Sequence, residues 1–352
     1  MPDQLPDLSA TREMEILLSS EGLIRSSSAQ LTPLTGGVSS EIYLVRDDAR
    51  EFVVKRALAQ LKVAGQWFAD TDRNRNETAY IGYVRTFCPR NVPRLQFVSE
   101  KHKFFCMDYM GTGWQTWKQR MIAGDRSCET SSAAGALLGK IHAHSARNTQ
   151  VASRFRTLRN FEQLRIEPYL LSTAQHHPTL RAIFHAEAAR LRSRQEVLTH
   201  GDYSPKNILV NNERLVVVDS EAAWYGDAAF DPAFLLSHLF LKSLALNRSE
   251  ENWRKMIRAA WSGYCLERFP STESKKQSEL EANFVRLLVM LMLARVDGKS
   301  PVEYLSEDQR THVRTFSTRT LSRPPVSFAM LTDEWFAGLP MQFKGVEQGH
   351  AQ

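Results

Sequence analysis

Apolar and polar residues alternate with a period of two through much of the first third of the chain. Helical spacing takes over in the rest, with one short return to strand patterning. Residues 31–46 predict a strand, a Gly-Gly-Val-Ser-Ser turn and a second strand, and residues 51–56 a third. Residues 91–98 and 103–110 read as two more strands around a turn at 100–102. Helical spacing of Glu77, Tyr80, Ile81 and Val84 predicts a helix over 72–87, and residues 60–69 predict a connecting helix. A lead-in over residues 1–30 carries Met14, Ile16, Leu17 and Leu18 as a short apolar face. Gly111-Thr-Gly113 then breaks the pattern. Beyond it, 131–146, 161–173, 180–195, 234–244, 251–264 and 279–296 predict helices, with Gly135 and Gly139 allowing close packing on the first of these. The order predicts an α+β fold: lead-in 1–30, a β-rich lobe over 31–111, and a mainly helical lobe over 112–352, with a nucleotide cleft between lobes.

The return to strand patterning is where chemistry concentrates. Residues 208–210 and 215–218 are β-prone, and Asn211-Asn212-Glu213-Arg214 between them is turn chemistry, which predicts a hairpin. Antiparallel pairing brings Asn207, before the first strand, near Asp219, after the second. An amide oxygen beside a carboxylate suits Mg²⁺, a hard cation that shares its oxygen ligands with phosphate. Asp202, on the loop entering the hairpin, is placed to accept a proton from a substrate hydroxyl. Each residue alone reads better as a surface turn; the whole spacing favours a site.

In the first lobe, Gly36 and Gly37 allow backbone N–H groups to approach a phosphate, and Ser39 and Ser40 add donors. Lys55 ends an apolar strand. It is either an edge lysine in water or a lysine held on nucleotide phosphates, with Glu77 as the carboxylate that fixes it. Residues 107–110 would form a hinge in which Met107, Asp108 and Met110 meet an adenine edge.

Composition narrows the classes. The 352 residues carry a net charge of +6 with Lys and Arg dispersed, which fits a polyanion such as ATP and gives no nucleic-acid stripe. Cys88, Cys106, Cys128 and Cys265 are far apart, without zinc spacing, so reduced thiols in a cytoplasmic protein are expected. No signal peptide pattern appears, and the longest apolar run, 287–294, is too short to span a bilayer. His142 and His144 read as packing or surface residues.

The segment His200-Gly201-Asp202-Tyr203-Ser204-Pro205-Lys206-Asn207 matches the HGDxxxxN motif, and with Lys55 and Asp219 the chain resembles the aminoglycoside phosphotransferase and choline kinase superfamily, with its protein-kinase-like fold. The resemblance implies ATP and Mg²⁺, Asp202 as catalytic base, Asn207 and Asp219 as metal ligands, and Lys55 with Glu77 on the nucleotide. His200 would hold the loop, and Asp231 would be structural. Asp219-Ser220-Glu221 departs from Asp-Phe-Gly and is similar to the choline and methylthioribose kinase branches, which adds Glu221 as a second metal contact. Gly36-Gly37-Val38-Ser39-Ser40 is not the protein-kinase glycine loop, and no Ala-Pro-Glu element follows, so a protein kinase is disfavoured.

The expectation is an ATP-dependent small-molecule phosphotransferase acting on a hydroxyl of a small metabolite or antibiotic, monomer or homodimer, without nucleic-acid or membrane partners. A metabolite kinase of the choline or methylthioribose type and a nucleotide-binding pseudokinase are the alternatives. The hydroxyl acceptor stays open; Trp253, Trp261, Tyr264 and Phe284 add apolar surface to the helices over 252–294, and the spacing does not say which of them face the cleft.

Overall fold

Strands form where the period of two predicts them, and their pairing is antiparallel throughout. The computed structural model of the protein describes residues 8–25, 28–34, 39–48, 50–58, 70–246, 249–269 and 274–340. The expected connecting helix at 60–69 and the tail beyond 340 lie outside the described residues. The chain divides into two units, residues 1–113 and 114–352.

In the first unit, α1 (Leu8–Ser20) precedes β1 (Gln30–Pro33), β2 (Ser40–Asp47), β3 (Arg50–Ala57), α2 (Arg73–Arg85), β4 (Leu95–Ser99) and β5 (Phe104–Asp108). The strands make a five-stranded sheet in the order β1-β2-β3-β5-β4. Alternation sorts its two faces. Tyr43, Val45, Phe52, Val54, Phe104 and Cys106 share one core with Met14 and Leu18 of α1 and with Ile24. The lead-in helix is therefore built into this unit. Ile16 corrects the expected apolar face: it is 56% exposed. Met14 and Leu18 are one turn apart and turn inward together, which carries Ile16 to the opposite side. Lys55 points to the other face of the sheet, where α2 buries Glu77, Tyr80, Ile81 and Val84.

The second unit begins with β6 (Gln115–Thr116), α3 (Trp117–Ile122), α4 (Cys128–Ser145), α5 (Thr149–Arg154) and α6 (Leu158–Phe161). The helix expected over 161–173 is instead a π-helix, Glu162–Leu171, continuing into α7 (Ser172–His176). Pro168 lies inside it. Proline has no N–H for an α-type bond and crowds the preceding turn, which favours the wider winding. After α8 (Arg181–Ser193), β7 (Val197–Thr199) pairs with β10 (Trp224–Gly226), while β8 (Ile208–Asn211) and β9 (Arg214–Val217) form the expected hairpin, joined on its β8 side by β6. The turn is tighter than expected, with Asn212 at φ 50°, a left-handed conformation that asparagine tolerates.

Helices α9 (Phe230–Ala245), α10 (Glu250–Arg268), α11 (Ser274–Asp297), α12 (Glu307–Ser322) and α13 (Phe328–Ala337) complete the unit. Residues 230–244 are buried on every side of α9, making it the central helix. Helices α4 and α10 meet at glycine: a Cβ on Gly135 would lie 1.9 Å from the Ala260 carbonyl oxygen, and one on Gly263 2.2 Å from that of Ser132. The aromatic residues of α10 and α11, whose facing the spacing left open, are core. Trp253, Tyr264 and Phe284 are at most 1% exposed, and Trp261 stacks on Phe284 with centroids 4.3 Å apart. They lie on the inward face of amphipathic helices, a distinction that periodicity alone leaves unresolved when several helices pack around one core. Among the described residues, no helix is long and apolar enough to cross a membrane.

Candidate active site

The two small sheets of the second unit hold two loops, 200–207 between β7 and β8 and 218–223 between β9 and β10. Asp231, in the first turn of α9, fixes the first loop at its root. Its Oδ2 accepts from the His200 N–H at 2.6 Å and its Oδ1 from the Gly201 N–H at 2.9 Å. His142 lies behind it, with Nε2 3.3 Å from Asp231 Oδ2 and Nδ1 3.1 Å from the Tyr264 hydroxyl. Gly201 has φ 76°, and a Cβ there would lie 2.5 Å from the Ala222 carbonyl oxygen. Only glycine meets both conditions.

His200 ties the two loops together. Its Nδ1 accepts from the Asp202 N–H at 3.2 Å, and its Nε2 lies 3.2 Å from the Val218 carbonyl oxygen. That pairing places the ring proton on Nε2. Burial lowers its pKa, outweighing the fields of Asp231, Asp202 and Asp219, so the ring is neutral.

Asp202 is 5% exposed. Arg165 Nη2 lies 3.1 Å and Lys206 Nζ 3.0 Å from the same carboxylate oxygen, Oδ2. Among the described residues Oδ1 has no partner, so it is the oxygen free to take a proton. Arg165 comes from the π-helix and also donates through Nε to the Gly201 carbonyl. Burial opposes its charge, and Asp202, then Tyr169, Glu221 and Asp219 more than offset this, leaving its pKa raised. Sequence reasoning missed Arg165: no local pattern marks an arginine whose partner lies on a distant loop.

The Asn207 side-chain nitrogen donates to the Asp202 carbonyl at 3.0 Å, which leaves the amide oxygen for a cation. The Val218 N–H donates to the Asn207 carbonyl at 3.0 Å, so the hairpin register carries Asp219 just past Asn207. Asp219 has φ 67°, a left-handed backbone at the end of the strand. Glu221 follows, 5% exposed. Amide and carboxylate oxygens of this kind fit Mg²⁺. Among the described residues no group of three or more His, Cys, Asp and Glu is spaced to hold a metal, so a cation here would depend on the asparagine, with waters or phosphate completing its shell.

In the first unit, Lys55 Nζ and Glu77 Oε2 are 2.6 Å apart, both side chains at most 2% exposed. Ser39 and Ser40 are buried at the start of β2, and the Ser40 hydroxyl has no partner among the described residues. Arg73 anchors this corner, with its Nη2 donating to the carbonyls of Ser39 and Leu58; it too went unseen in the sequence. Gly36 and Gly37 lie outside the described residues. Met107 is buried on β5, while Tyr109 and Met110 are partly exposed. The Asp108 carboxylate is engaged by Arg94 at 3.2 Å and Gln96 at 2.8 Å, and its N–H by the Arg94 carbonyl. Any role it has toward a nucleotide falls to backbone atoms.

The model of the phosphotransferase enzyme family matches residues 30–273. A methylthioribose kinase of Bacillus pumilus is 24% identical over 309 residues, covering 76% of this chain and 77% of that protein. Methylthioribose kinase 1 of Oryza sativa subsp. japonica is 25% identical over 228 residues, 57% of this chain and 53% of the rice protein, so the match spans about half of the latter. Among solved structures, an amicoumacin kinase bound to AMP-PNP, Ca²⁺ and Ami superposes with a TM-score of 0.57 at 15% identity, over 92% of this chain and 98% of that one. An ethanolamine kinase of Plasmodium vivax gives 0.53 at 12% identity, over 92% and 90%. These superpositions show a shared α+β, protein-kinase-like fold.

Proposed function

The chain belongs to the phosphotransferase enzyme family and is a small-molecule kinase, and we propose that it moves the γ-phosphoryl group of ATP to a hydroxyl of a small metabolite, with Asp202 as the base. The observation that carries this reading is the asymmetry of the Asp202 carboxylate. Arg165 and Lys206 both hold Oδ2, and Oδ1 is without a partner among the described residues. A carboxylate anchored by one oxygen presents the other in a fixed direction, as a positioned base requires. The acceptor oxygen bonds to the γ-phosphorus, the bond to the bridging oxygen breaks, ADP leaves, and the hydroxyl proton passes to Oδ1.

Lys55, fixed by Glu77, would hold the α- and β-phosphates, with Ser39, Ser40 and the segment carrying Gly36 and Gly37 as donors. The adenine edge would meet the backbone of Met107, Asp108 and Met110. Asn207, Asp219 and Glu221 would hold Mg²⁺. Bound there, the ion would neutralise charge on the transferred phosphoryl group. The neutral His200 takes no proton in this scheme; it keeps Asp202 and the strand leading to Asp219 in register.

A coupled ADP-release assay on purified protein tests the reading, with methylthioribose, amino sugars, choline-like alcohols and homoserine as acceptors. Acceptor-dependent ADP release that disappears in Asp202→Asn is expected. Stabilisation by Mg·ATP without turnover on any acceptor would favour a nucleotide-binding pseudokinase instead.

A further inference from the structure

A second cluster of cations in the second unit lies one aromatic ring away from Asp202. The Arg165 guanidinium is 5.6 Å from the centroid of Tyr169, and Arg295, on α11, is 5.7 Å from the same centroid. Arg295 Nη1 donates to the Tyr169 hydroxyl at 3.2 Å and to Ser300 Oγ at 2.8 Å, while its Nε is buried with no partner among the described residues. Lys242, on α9, is 3% exposed. Its ammonium sits 4.7 Å from the centroid of Tyr304, and its one hydrogen bond among the described residues is a long one, 3.4 Å, to the Tyr304 hydroxyl. Lys118, on α3, lies 5.9 Å from the Tyr304 centroid and pairs with Glu303 at 2.8 Å. Its backbone N–H donates to the Pro205 carbonyl, inside the catalytic loop. His238, one turn before Lys242 on α9, is buried against Phe234, with ring centroids 5.2 Å apart.

Lys242 and Lys118 thus both approach the Tyr304 ring, Glu303 pairs with Lys118, and the field of Arg295 reaches Lys242. Burial, then Lys118 and Arg295, push the Lys242 pKa down to about 7 against the pull of Glu303. Burial also pushes His238 well down, with Lys242, Arg295, Lys206 and Lys118 adding to the effect. A buried ammonium without a carboxylate partner is costly, and an anion is the group that relieves it. The same field repels the amines of a polycationic acceptor.

We propose that Lys242, Arg295 and Lys118 seat a carboxylate or phosphate group of the phosphoryl acceptor. The acceptor is therefore a hydroxy acid or a phosphorylated polyol. Naming the ligand as the acceptor rests on the phosphotransferase reading; the existence of an anion seat does not.

The test has two arms. In the first, inorganic phosphate is titrated into full-length protein with Mg·ATP saturating, so that nucleotide-phosphate contacts are already filled, and thermal stability is read. Wild type should be stabilised. Lys242→Met, an apolar replacement suited to a buried position, should need at least about tenfold more phosphate for the same shift. Lys118→Gln, at a partly exposed position, should weaken the response in the same direction. In the second arm, ADP release is compared for gluconate, sorbitol and glucosamine, and for glycerol 3-phosphate against glycerol. The anionic member of each set should be preferred, and Lys242→Met should remove the preference through KM. Equal phosphate responses in wild type and Lys242→Met, or a neutral or cationic acceptor preferred by both, would overturn the seat and leave the kinase reading standing. A Lys242-dependent phosphate response with no turnover of any acceptor would sustain the seat and sink the kinase reading.

Discussion

Arg165 binds Asp202 through the same oxygen that Lys206 binds, at 3.1 and 3.0 Å, and so leaves the other oxygen without a partner among the described residues. Removing Arg165 takes away the more buried of the two contacts and one tether of Gly201. Arg165→Met should lower kcat by about ten- to a hundredfold with KM for ATP nearly unchanged. It should also cost about 3 kcal/mol of stability, because the buried Asp202 loses the more buried of its two partners. Steady-state kinetics and urea unfolding separate the two effects, and Arg165→Lys should recover part of kcat.

Asp202→Asn keeps the shape of the side chain and loses the proton acceptor. Turnover should fall by about a hundred- to ten-thousandfold, while calorimetry shows Mg·ATP binding retained. Turnover near the wild-type rate would remove Asp202 from the chemistry.

Gly201→Ala places a Cβ at φ 76° and 2.5 Å from the Ala222 carbonyl oxygen. Backbone strain and the clash act together, and the loss should be about 3 kcal/mol or more. A lowered urea midpoint together with loss of turnover is expected, since the strained residue adjoins Asp202.

Glu77→Gln leaves Lys55 buried beside a neutral amide. The ion pair spans 2.6 Å with both side chains at most 2% exposed, so stability should drop by about 3 kcal/mol. KM for ATP should rise by about tenfold as Lys55 loses its fixed position, and kcat at saturating ATP should change less.

Lys242 makes stability depend on pH. Burial lowers its folded pKa to about 7, whereas an unfolded lysine titrates near about 10.4. Between these values the unfolded chain binds more protons, so this group makes stability rise with pH, by at most about 1.4 kcal/mol per unit. Below pH 7 its contribution is a constant penalty. Urea unfolding of wild type and Lys242→Met should therefore diverge as pH is lowered from about 10 towards 7 and run parallel below; parallel curves throughout would refute the assignment.

Much of the fold was legible because its signals are local. Period-two runs with turn residues between them mark the 208–217 hairpin, and its register carries Asp219 past Asn207. A lysine within an apolar strand and a glutamate on an apolar helix face mark the pair Lys55 and Glu77. What escaped depends on tertiary placement. Arg165 meets Asp202 only through the π-helix, and helical spacing alone does not distinguish a π-helix from an α-helix. Trp261 and Phe284 could be surface or core by pattern, and only the packing of α10 on α11 makes them core. Lys242 looked like one polar residue in an apolar helix, whereas Tyr304, Lys118 and Arg295 around it come from distant segments.

The π-helix sets how this protein tolerates change in length. Its hydrogen bonds close at i→i+5 rather than i→i+4, so the run Glu162–Leu171 behaves as an α-helix that has accepted an insertion. Deleting one residue there would restore ordinary winding and shift the side chains between the deletion and the wide turns by one position, about 100° around the helix. Arg165 would swing off Asp202, or Tyr169 off Arg295. Point substitutions elsewhere on this helix are absorbed one side chain at a time, but a loss of length would uncouple the catalytic loop from α11 in a single mutational step.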